Sequence, residues 1–224
     1  MNFTAFEYWT DGWRHGSLMP NDVGLRRCNC GRLVLLNELV EIKAVESSDL
    51  PRIEHIPEEA FVNCVDEADS EEIEAAARLG YWRYLNHSYR QKYREYREVE
   101  EAAAKAAWEA ANADARTLWD KLRGRKSLSY SGPQNSPFTY PVYEPSDIQY
   151  RNMERLSQIL LAQGTGSPYG GGPLTLAELL REQGRFDEAQ RIISTIDKKD
   201  EGVTGDVISR LIEERQQAPM RYRM

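Results

Sequence analysis

The sequence predicts a mainly α-helical protein with a small irregular N-terminal segment that contains one or two short strands. Two observations predict this fold class. The opening residues are rich in turn signals and aromatic side chains, whereas no proline falls between Asp66 and Arg123, and amphipathic helical patterns return after residue 145. The predicted segments are an irregular segment with a cysteine turn (1–61), a long helical region (62–125), a proline-rich linker (126–145) and a C-terminal region of repeat-like helices (146–224).

Charge and composition narrow the classes of function. The formal net charge is -7, which argues against broad binding of nucleic acids, because that binding needs a cationic surface. The start of the chain lacks the basic and then apolar pattern of a secretory leader, and no apolar run approaches the length of a membrane span. Three cysteines are an odd set for a disulfide framework. We therefore expect a cytoplasmic protein that does not associate with membranes.

Aromatic side chains crowd the first residues of the chain. Small irregular domains use such side chains as their core, so we expect Trp9 to be buried. Trp13 is a candidate for contact with a partner. Further along, the run Leu33–Leu36 predicts a short buried strand that leads into a helix.

Cys28 and Cys30 are the candidate metal ligands. They precede Gly31 in a turn-rich stretch, as the thiolates of a zinc knuckle do, but one residue separates them instead of the usual two. The alternative is a turn that only resembles a metal knuckle. A catalytic thiol activated by the neighbouring Arg26 and Arg27 is a further alternative.

The middle region predicts long helices. Ser70 is placed to cap the first of them, and the acidic residues after it suit the positive end of a helix dipole. A break is expected near Asn86 or near Asn112. Three tyrosines at helical spacing are candidates for partner binding: Tyr89, Tyr93 and Tyr96. Arginines among them give an RNA-binding alternative, although glutamates at helical spacings favour a solvated helix.

The linker cannot be helical, because prolines interrupt it throughout. Its aromatic residues predict that it attaches to the helices; they are Tyr130, Phe138, Tyr140 and Tyr143. A proline-rich ligand for a partner domain is the alternative.

The most consistent helical signals lie in Thr175–Ile196. Two short helices are predicted, with Gly184 ending the first, because glycine accepts the left-handed conformation of a helix end. Thr175 with Glu178, Asp187 with Gln190, and Ser146 with Gln149 have the spacing of capping boxes. A turn at Lys198–Gly205, a last amphipathic helix and a basic tail with Arg221 and Arg223 complete the prediction.

This helical pair resembles the tetratricopeptide repeat. The matching residues are Leu176, Ala177, Leu180, Gly184–Ala189 and Ile193. The resemblance covers about one tenth of the chain and departs from the repeat at Pro173 and Glu201. It implies a helical hairpin whose apolar faces the neighbouring helices must cover. The order of segments also resembles small bacterial proteins of uncharacterised function, which implies no particular activity.

Three functions fit these features of the sequence. The first is a non-enzymatic adaptor that binds a protein partner through its helices and needs no cofactor; an oligomer also fits. The second is a recognition module stapled by zinc at Cys28 and Cys30. The third is an enzyme of unknown class that uses the acidic residues between Asp66 and Glu74, which a helix start also explains.

Overall fold

The computed structural model describes residues 5–16, 23–40, 50–112, 130, 141–164 and 172–222. Its contacts divide the chain into two compact units, Met1–His87 with Tyr143–Met224, and Ser88–Val142. The protein is mainly helical with small strand segments at the N-terminus, as the sequence predicts. The first two helices pack in one core with the N-terminal strands and the C-terminal helices, and the division into four segments stays a prediction.

The strands of the described chain form two antiparallel three-stranded sheets, with orders β2-β1-β6 and β4-β3-β5. They are β1 (Ala5–Trp9), β2 (Arg14–Gly16), β3 (Leu25–Cys28), β4 (Leu33–Leu35), β5 (Ile53–His55) and β6 (Arg221–Tyr222). The predicted strand at Leu33 is confirmed, and a 3-10 turn follows it at Leu36–Glu38. The predicted basic tail is wrong at Arg221, which pairs with Trp9 of β1. Arg223 lies outside the described residues.

The described residues form seven α-helices, of which α3 lies almost entirely in the second unit. They are α1 (Phe61–Glu67), α2 (Glu71–Leu85), α3 (His87–Ala111), α4 (Asp147–Gln163), α5 (Gly172–Glu182), α6 (Phe186–Ile193) and α7 (Lys198–Glu213). The break predicted near Asn86 is confirmed, because α2 ends one residue before it and α3 begins one residue after it.

Two of the predicted helix caps are confirmed by hydrogen bonds. The Ser70 hydroxyl accepts from the Ile73 N–H at 3.2 Å, which satisfies one of the unpaired donors at the start of α2. At α4, Ser146 and Gln149 form a reciprocal capping box: the Ser146 hydroxyl accepts from the Gln149 N–H, and the Gln149 side chain accepts from the Ser146 N–H.

The core of the first unit joins α1, α2, and α4–α7 with the β4-β3-β5 sheet. Trp9 is fully buried, as predicted. Helices α4 and α7 both contact α5, and α7 also contacts α6. The expectation that neighbouring helices cover the apolar faces of the hairpin is therefore confirmed.

The hairpin itself begins and caps differently from the prediction. Gly184 does follow the end of α5, with a φ of +77° that favours glycine. Helix α5 begins at Gly172, however, so Thr175 lies inside it and not at the predicted cap position. Pro173 is tolerated in the first turn because that turn needs no N–H donor. At α6 the cap residue is Arg185, and its side chain forms no capping bond, so the box predicted at Asp187 is also wrong.

The predicted turn at Lys198–Gly205 is also wrong. These residues belong to α7, which begins after Asp197 and kinks at Gly202. The Asp197 carboxylate accepts from the Lys199 N–H at 3.1 Å and caps the helix. Two glycines close together in the sequence therefore mark a kinked helix here and not its absence.

In the second unit, α3 carries charged pairs at helical spacing. Half-buried Arg97 lies 3.2 Å from half-buried Glu100, and exposed Lys105 lies 3.9 Å from exposed Glu109. Pairs at this spacing are usual on helices, and RNA binding stays an alternative prediction. Near the end of the helix, the rings of Trp108 and Tyr130 lie 5.8 Å apart.

Candidate functional site

The turn that joins β1 to β2, Trp9–Trp13, positions the site. The Trp9 N–H donates to the Trp13 carbonyl and the Gly12 N–H donates to the Trp9 carbonyl, both at 2.9 Å. The Asp11 carboxylate accepts from the Trp13 N–H at 2.9 Å, as aspartates commonly do in tight turns. The turn places Trp9, Gly12 and Trp13 at the wall of a cavity and buries Asp11.

The cavity has a volume of about 790 Å³ and lies within the first unit. Its walls come from β1, β2 and their turn, from Tyr222 of β6, from the start of α5 and from the residues that connect α6 to α7. Besides Trp9, Thr10, Gly12 and Trp13 of the turn, they are Tyr8, Arg14, Arg83, Gly172–Thr175, Thr195–Asp197, Thr204 and Tyr222. The volume is in the range of pockets that hold small molecules or inserted side chains.

Rings held by their own contacts form one part of the wall. The rings of Tyr8 and Tyr222 lie 5.9 Å apart, and the Tyr222 hydroxyl lies 2.6 Å from the Thr204 hydroxyl. Burial raises the pKa of Tyr222, so this phenol stays neutral at physiological pH. Trp13 stacks on His15 with an interplanar angle of 8°. These rings are therefore fixed before any ligand arrives.

Two guanidinium groups contribute positive charge to the wall. Arg14 is exposed on β2, and Arg83 of α2 donates from Nε to the Asp11 carbonyl at 3.1 Å. Asp197 is the acidic side chain on the same wall, and it caps α7. The first turn of α5 also meets the cavity, and the positive end of its dipole has the same sign as the arginines.

A buried polar network lies next to the turn; we call Asp11, Trp82, Asn86, Tyr143 and Glu182 the Glu182 network. The Glu182 side chain is fully buried. Its carboxylate accepts from the Trp82 indole N–H at 2.9 Å, from the Tyr143 hydroxyl at 2.8 Å and from the Asn86 amide at 3.2 Å. Two donors from the end of α2 and one from Tyr143 therefore converge on one carboxyl group.

Asn86 connects this carboxylate to the turn. Its amide also donates to the Asp11 carboxylate at 3.2 Å, and its carbonyl oxygen accepts from the Tyr143 hydroxyl at 3.1 Å. The side chain amide of Gln149 donates to the same carbonyl oxygen at 3.4 Å. Asn86 therefore bonds to the turn through Asp11, to α4 through Gln149, to α5 through Glu182 and to Tyr143, which precedes α4.

Burial dominates the protonation of the network. It raises the pKa of Glu182 to about 8, and the negative charges of Glu178 and Asp11 act in the same direction. The pKa of Tyr143 is also raised well above its usual value, mainly by burial and next by the negative charge of Glu182. Perturbed groups of this kind often mark active sites, but neither residue lines the cavity.

A buried ion pair lies beside the network on α5. Glu178 and Arg181 are both fully buried, and two hydrogen bonds join them at 2.7 and 2.5 Å. Arg181 also donates to the carbonyls of Gln216 and Ala218, in the segment that leads to β6. The pair therefore anchors the strand that supplies Tyr222 to the cavity.

The predicted partner-binding residues are divided between the two units, with Trp13 in the first and the three tyrosines in the second. Trp13 lines the cavity and is 6% exposed. Tyr89 and Tyr93 are buried, at 5% and 6% exposure, whereas Tyr96 is 37% exposed. Of the three tyrosines on α3, Tyr96 alone presents much of its surface to solvent. Partner binding by these residues stays a prediction.

Cys28 and Cys30, the predicted metal ligands, do lie together, with their sulfur atoms 2.6 Å apart. Within the described ranges, no group of three or more His, Cys, Asp or Glu side chains is arranged to hold a metal ion. Two thiolates supply half of a closed tetrahedral zinc site. Zinc binding therefore stays a prediction that needs ligands beyond this pair.

The network and most of the cavity were missed in the sequence. Glu178, Arg181 and Glu182 have the residue types of a solvated helix face, and only their position beside the buried Leu179 and Leu180 hints otherwise. Asp11 carried a clear turn signal with Gly12, but nothing local indicates its distant partner Asn86.

Comparison of the chain with protein-family models, with curated protein sequences and with solved structures gives no match. Among the helices of the described ranges, none combines the length and the apolar character that crossing a membrane requires.

Proposed function

We propose that the protein is a non-enzymatic binding protein and that its cavity receives a segment of a protein partner. The observation that carries the proposal is the composition of the cavity wall, in which tryptophan, tyrosine and arginine side chains surround a volume of about 790 Å³. These three residue types dominate the binding energy of protein interfaces. The rings of Tyr8 and Tyr222 are half-buried and offer apolar contact at a low cost in conformational entropy, whereas Trp9 and Trp13 are buried and support the wall from behind.

The charge of the wall favours an acidic segment. The wall carries two arginines, Arg14 and Arg83, and one acidic side chain, Asp197, whereas the chain as a whole has a net charge of -7. A locally cationic cavity attracts carboxylates even though the protein as a whole is acidic. We infer a segment in which an acidic residue neighbours an aromatic or aliphatic one, so that the carboxylate meets the arginines and the apolar side chain meets the rings.

The position of the most perturbed acid supports a binding role over a catalytic one. Glu182 accepts three hydrogen bonds from the protein itself and lies outside the cavity wall. A general acid or base must come within hydrogen-bond distance of its substrate. Burial, with the nearby charges of Glu178 and Asp11, explains the raised pKa of Glu182 without any substrate.

Selection from a library of random peptides displayed on phage tests the proposal on the full chain. We expect the selected peptides to share an acidic residue beside an aromatic or aliphatic one. The same peptides should bind Arg14→Glu about tenfold more weakly, which corresponds to about 1.4 kcal/mol, and should bind Arg151→Glu as they bind the unmodified protein.

Arg151 is the matched control because it is also an exposed arginine of the first unit but does not line the cavity. Selected peptides that are basic, or that bind Arg14→Glu and the unmodified protein equally, would contradict the proposal. Equal losses for both variants would show that the attraction comes from overall charge and not from the cavity.

A further inference from the structure

The turn between β3 and β4 brings two cysteines into contact. The Gly31 N–H donates to the Cys28 carbonyl and the Cys28 N–H donates to the Arg32 carbonyl, both at 2.8 Å. Gly31 has a φ of +90°, so glycine suits the position that closes this short hairpin loop. The turn is therefore held by backbone bonds that do not depend on the oxidation state of its sulfur atoms.

The two thiols differ in access. Cys30 is exposed at the end of the turn, whereas Cys28 is 7% exposed and its sulfur accepts from the Cys30 N–H at 3.3 Å. One sulfur is thus an accessible nucleophile, and the other is a sheltered thiol in contact with it.

We propose that Cys28 and Cys30 form a redox-active dithiol that reacts with disulfides of small thiols or of other proteins. The proposal rests on the 2.6 Å contact between the sulfur atoms, the unequal access of the two thiols and the backbone bonds of the turn. It is independent of the cavity and its partner.

The reaction proceeds by two exchanges. The Cys30 thiol gives its proton to solvent, and its thiolate attacks one sulfur of a disulfide R–S–S–R; the S–S bond of R–S–S–R breaks, which releases R–S⁻ and leaves a mixed disulfide on Cys30. Cys28 then loses its proton to the released R–S⁻ and attacks the Cys30 sulfur, which releases the second R–S⁻, and this thiolate takes from solvent the proton that Cys30 gave up. The products are the Cys28–Cys30 disulfide and two R–SH, so the dithiol is oxidised and R–S–S–R is reduced by two electrons.

Reversal of the reaction is expected to be easy. With one residue between the cysteines, the disulfide closes a small ring in an exposed turn, and exposed or strained disulfides belong to the labile class. A dithiol reductant therefore restores both thiols. Cys64 offers an internal contrast, because it is buried beneath Arg27, and burial raises its pKa.

The test treats the full chain with glutathione disulfide at neutral pH, alkylates the remaining thiols and locates them by peptide mass spectrometry. The number of free thiols should fall from three to one, with Cys64 retained and a disulfide joining Cys28 to Cys30. In Cys28→Ser the first exchange should proceed and stop, so that glutathione remains attached to Cys30. In Cys30→Ser the sheltered Cys28 should react at least about tenfold more slowly.

Three results would overturn the proposal. One is stable glutathione on Cys30 of the unmodified protein without an internal disulfide. Another is a Cys28 that reacts in Cys30→Ser as fast as Cys30 does in Cys28→Ser. The third is near-stoichiometric zinc in the purified protein that Cys28→Ser abolishes, because the thiolates would then serve a metal.

Discussion

The cavity and the Glu182 network share one turn, Trp9–Trp13, but their ionisable side chains lie in opposite surroundings. In the network, the Asp11 and Glu182 carboxylates are buried and accept hydrogen bonds from side chains of the protein itself. At the cavity, Arg14 is exposed and the aromatic rings border open volume. Carboxyl groups enclosed among hydrogen-bond donors hold the fold together, whereas guanidinium groups at an open wall lie where a ligand can reach them.

The same contrast exists in miniature along the hairpin. Arg181 pairs with Glu178 at 2.5 Å with both side chains fully buried, and Arg185 pairs with Glu188 at 2.6 Å with side chains 36% and 38% exposed. Both pairs have the same residue types, and each partner lies three residues from the other. The pairs differ in burial, and Arg181 also donates to two backbone carbonyls.

The largest effect is expected from removing one partner of the buried pair. Arg181→Met leaves the Glu178 charge buried and also removes the donors to two carbonyls before β6. The free energy of unfolding should fall by about 3–5 kcal/mol. Arg185→Met is the matched control and should cost less than about 1 kcal/mol. Urea unfolding measures both, and equal losses would show that burial does not distinguish the pairs.

The Glu182 carboxylate is the next test of the enclosed network. Glu182→Ala removes the acceptor of the Trp82, Asn86 and Tyr143 donors and leaves a void. We expect the free energy of unfolding to fall by about 3 kcal/mol. Glu182→Gln keeps an acceptor oxygen and should cost clearly less at pH 6. If both variants unfold at the same urea concentration, the hydrogen bonds of the carboxylate contribute little.

The pH dependence of stability gives a smaller and more specific test. Because the pKa of Glu182 is about 8 in the folded protein and near 4.5 when the residue is free, the folded state holds a proton that the unfolded state releases. Between these two values, raising the pH therefore favours unfolding, by up to about 1.4 kcal/mol per pH unit from this group. Below the lower value its contribution to stability is fully present.

Glu182→Gln cannot ionise and should lose this dependence. Compared with the unmodified protein, it should become progressively more stable as the pH rises from 5 to 8 in urea unfolding. Parallel stability curves for the two proteins over this range would mean that Glu182 ionises at its ordinary pKa.

Features with local causes were the ones the sequence predicted well. The hydroxyls of Ser70 and Ser146 cap the nearest helix, Gly184 follows the end of α5, and Asn86 interrupts the long helical region. Each depends on residues only a few positions away. Trp9 was also predicted to be buried, since an aromatic side chain in a small segment has few other places to go.

Features that depend on distant partners were missed. Arg221 was predicted in a tail because its partner strand, β1, begins more than two hundred residues earlier in the chain. Glu178 and Arg181 have the residue types of a solvated face, and only the packing of α5 among α4, α6 and α7 encloses them. The cavity was missed for the same reason, since its walls come from parts of the chain that only the fold brings together.

The most direct test of the central claim is the affinity of a selected acidic peptide for three full-length proteins. Isothermal titration should give a dissociation constant about tenfold higher for Arg14→Glu than for the unmodified protein, and an unchanged constant for Arg151→Glu. Because Arg14 is exposed, the stability of Arg14→Glu should remain within about 0.5 kcal/mol. Equal affinity for all three proteins, with the fold intact, would contradict binding at the cavity.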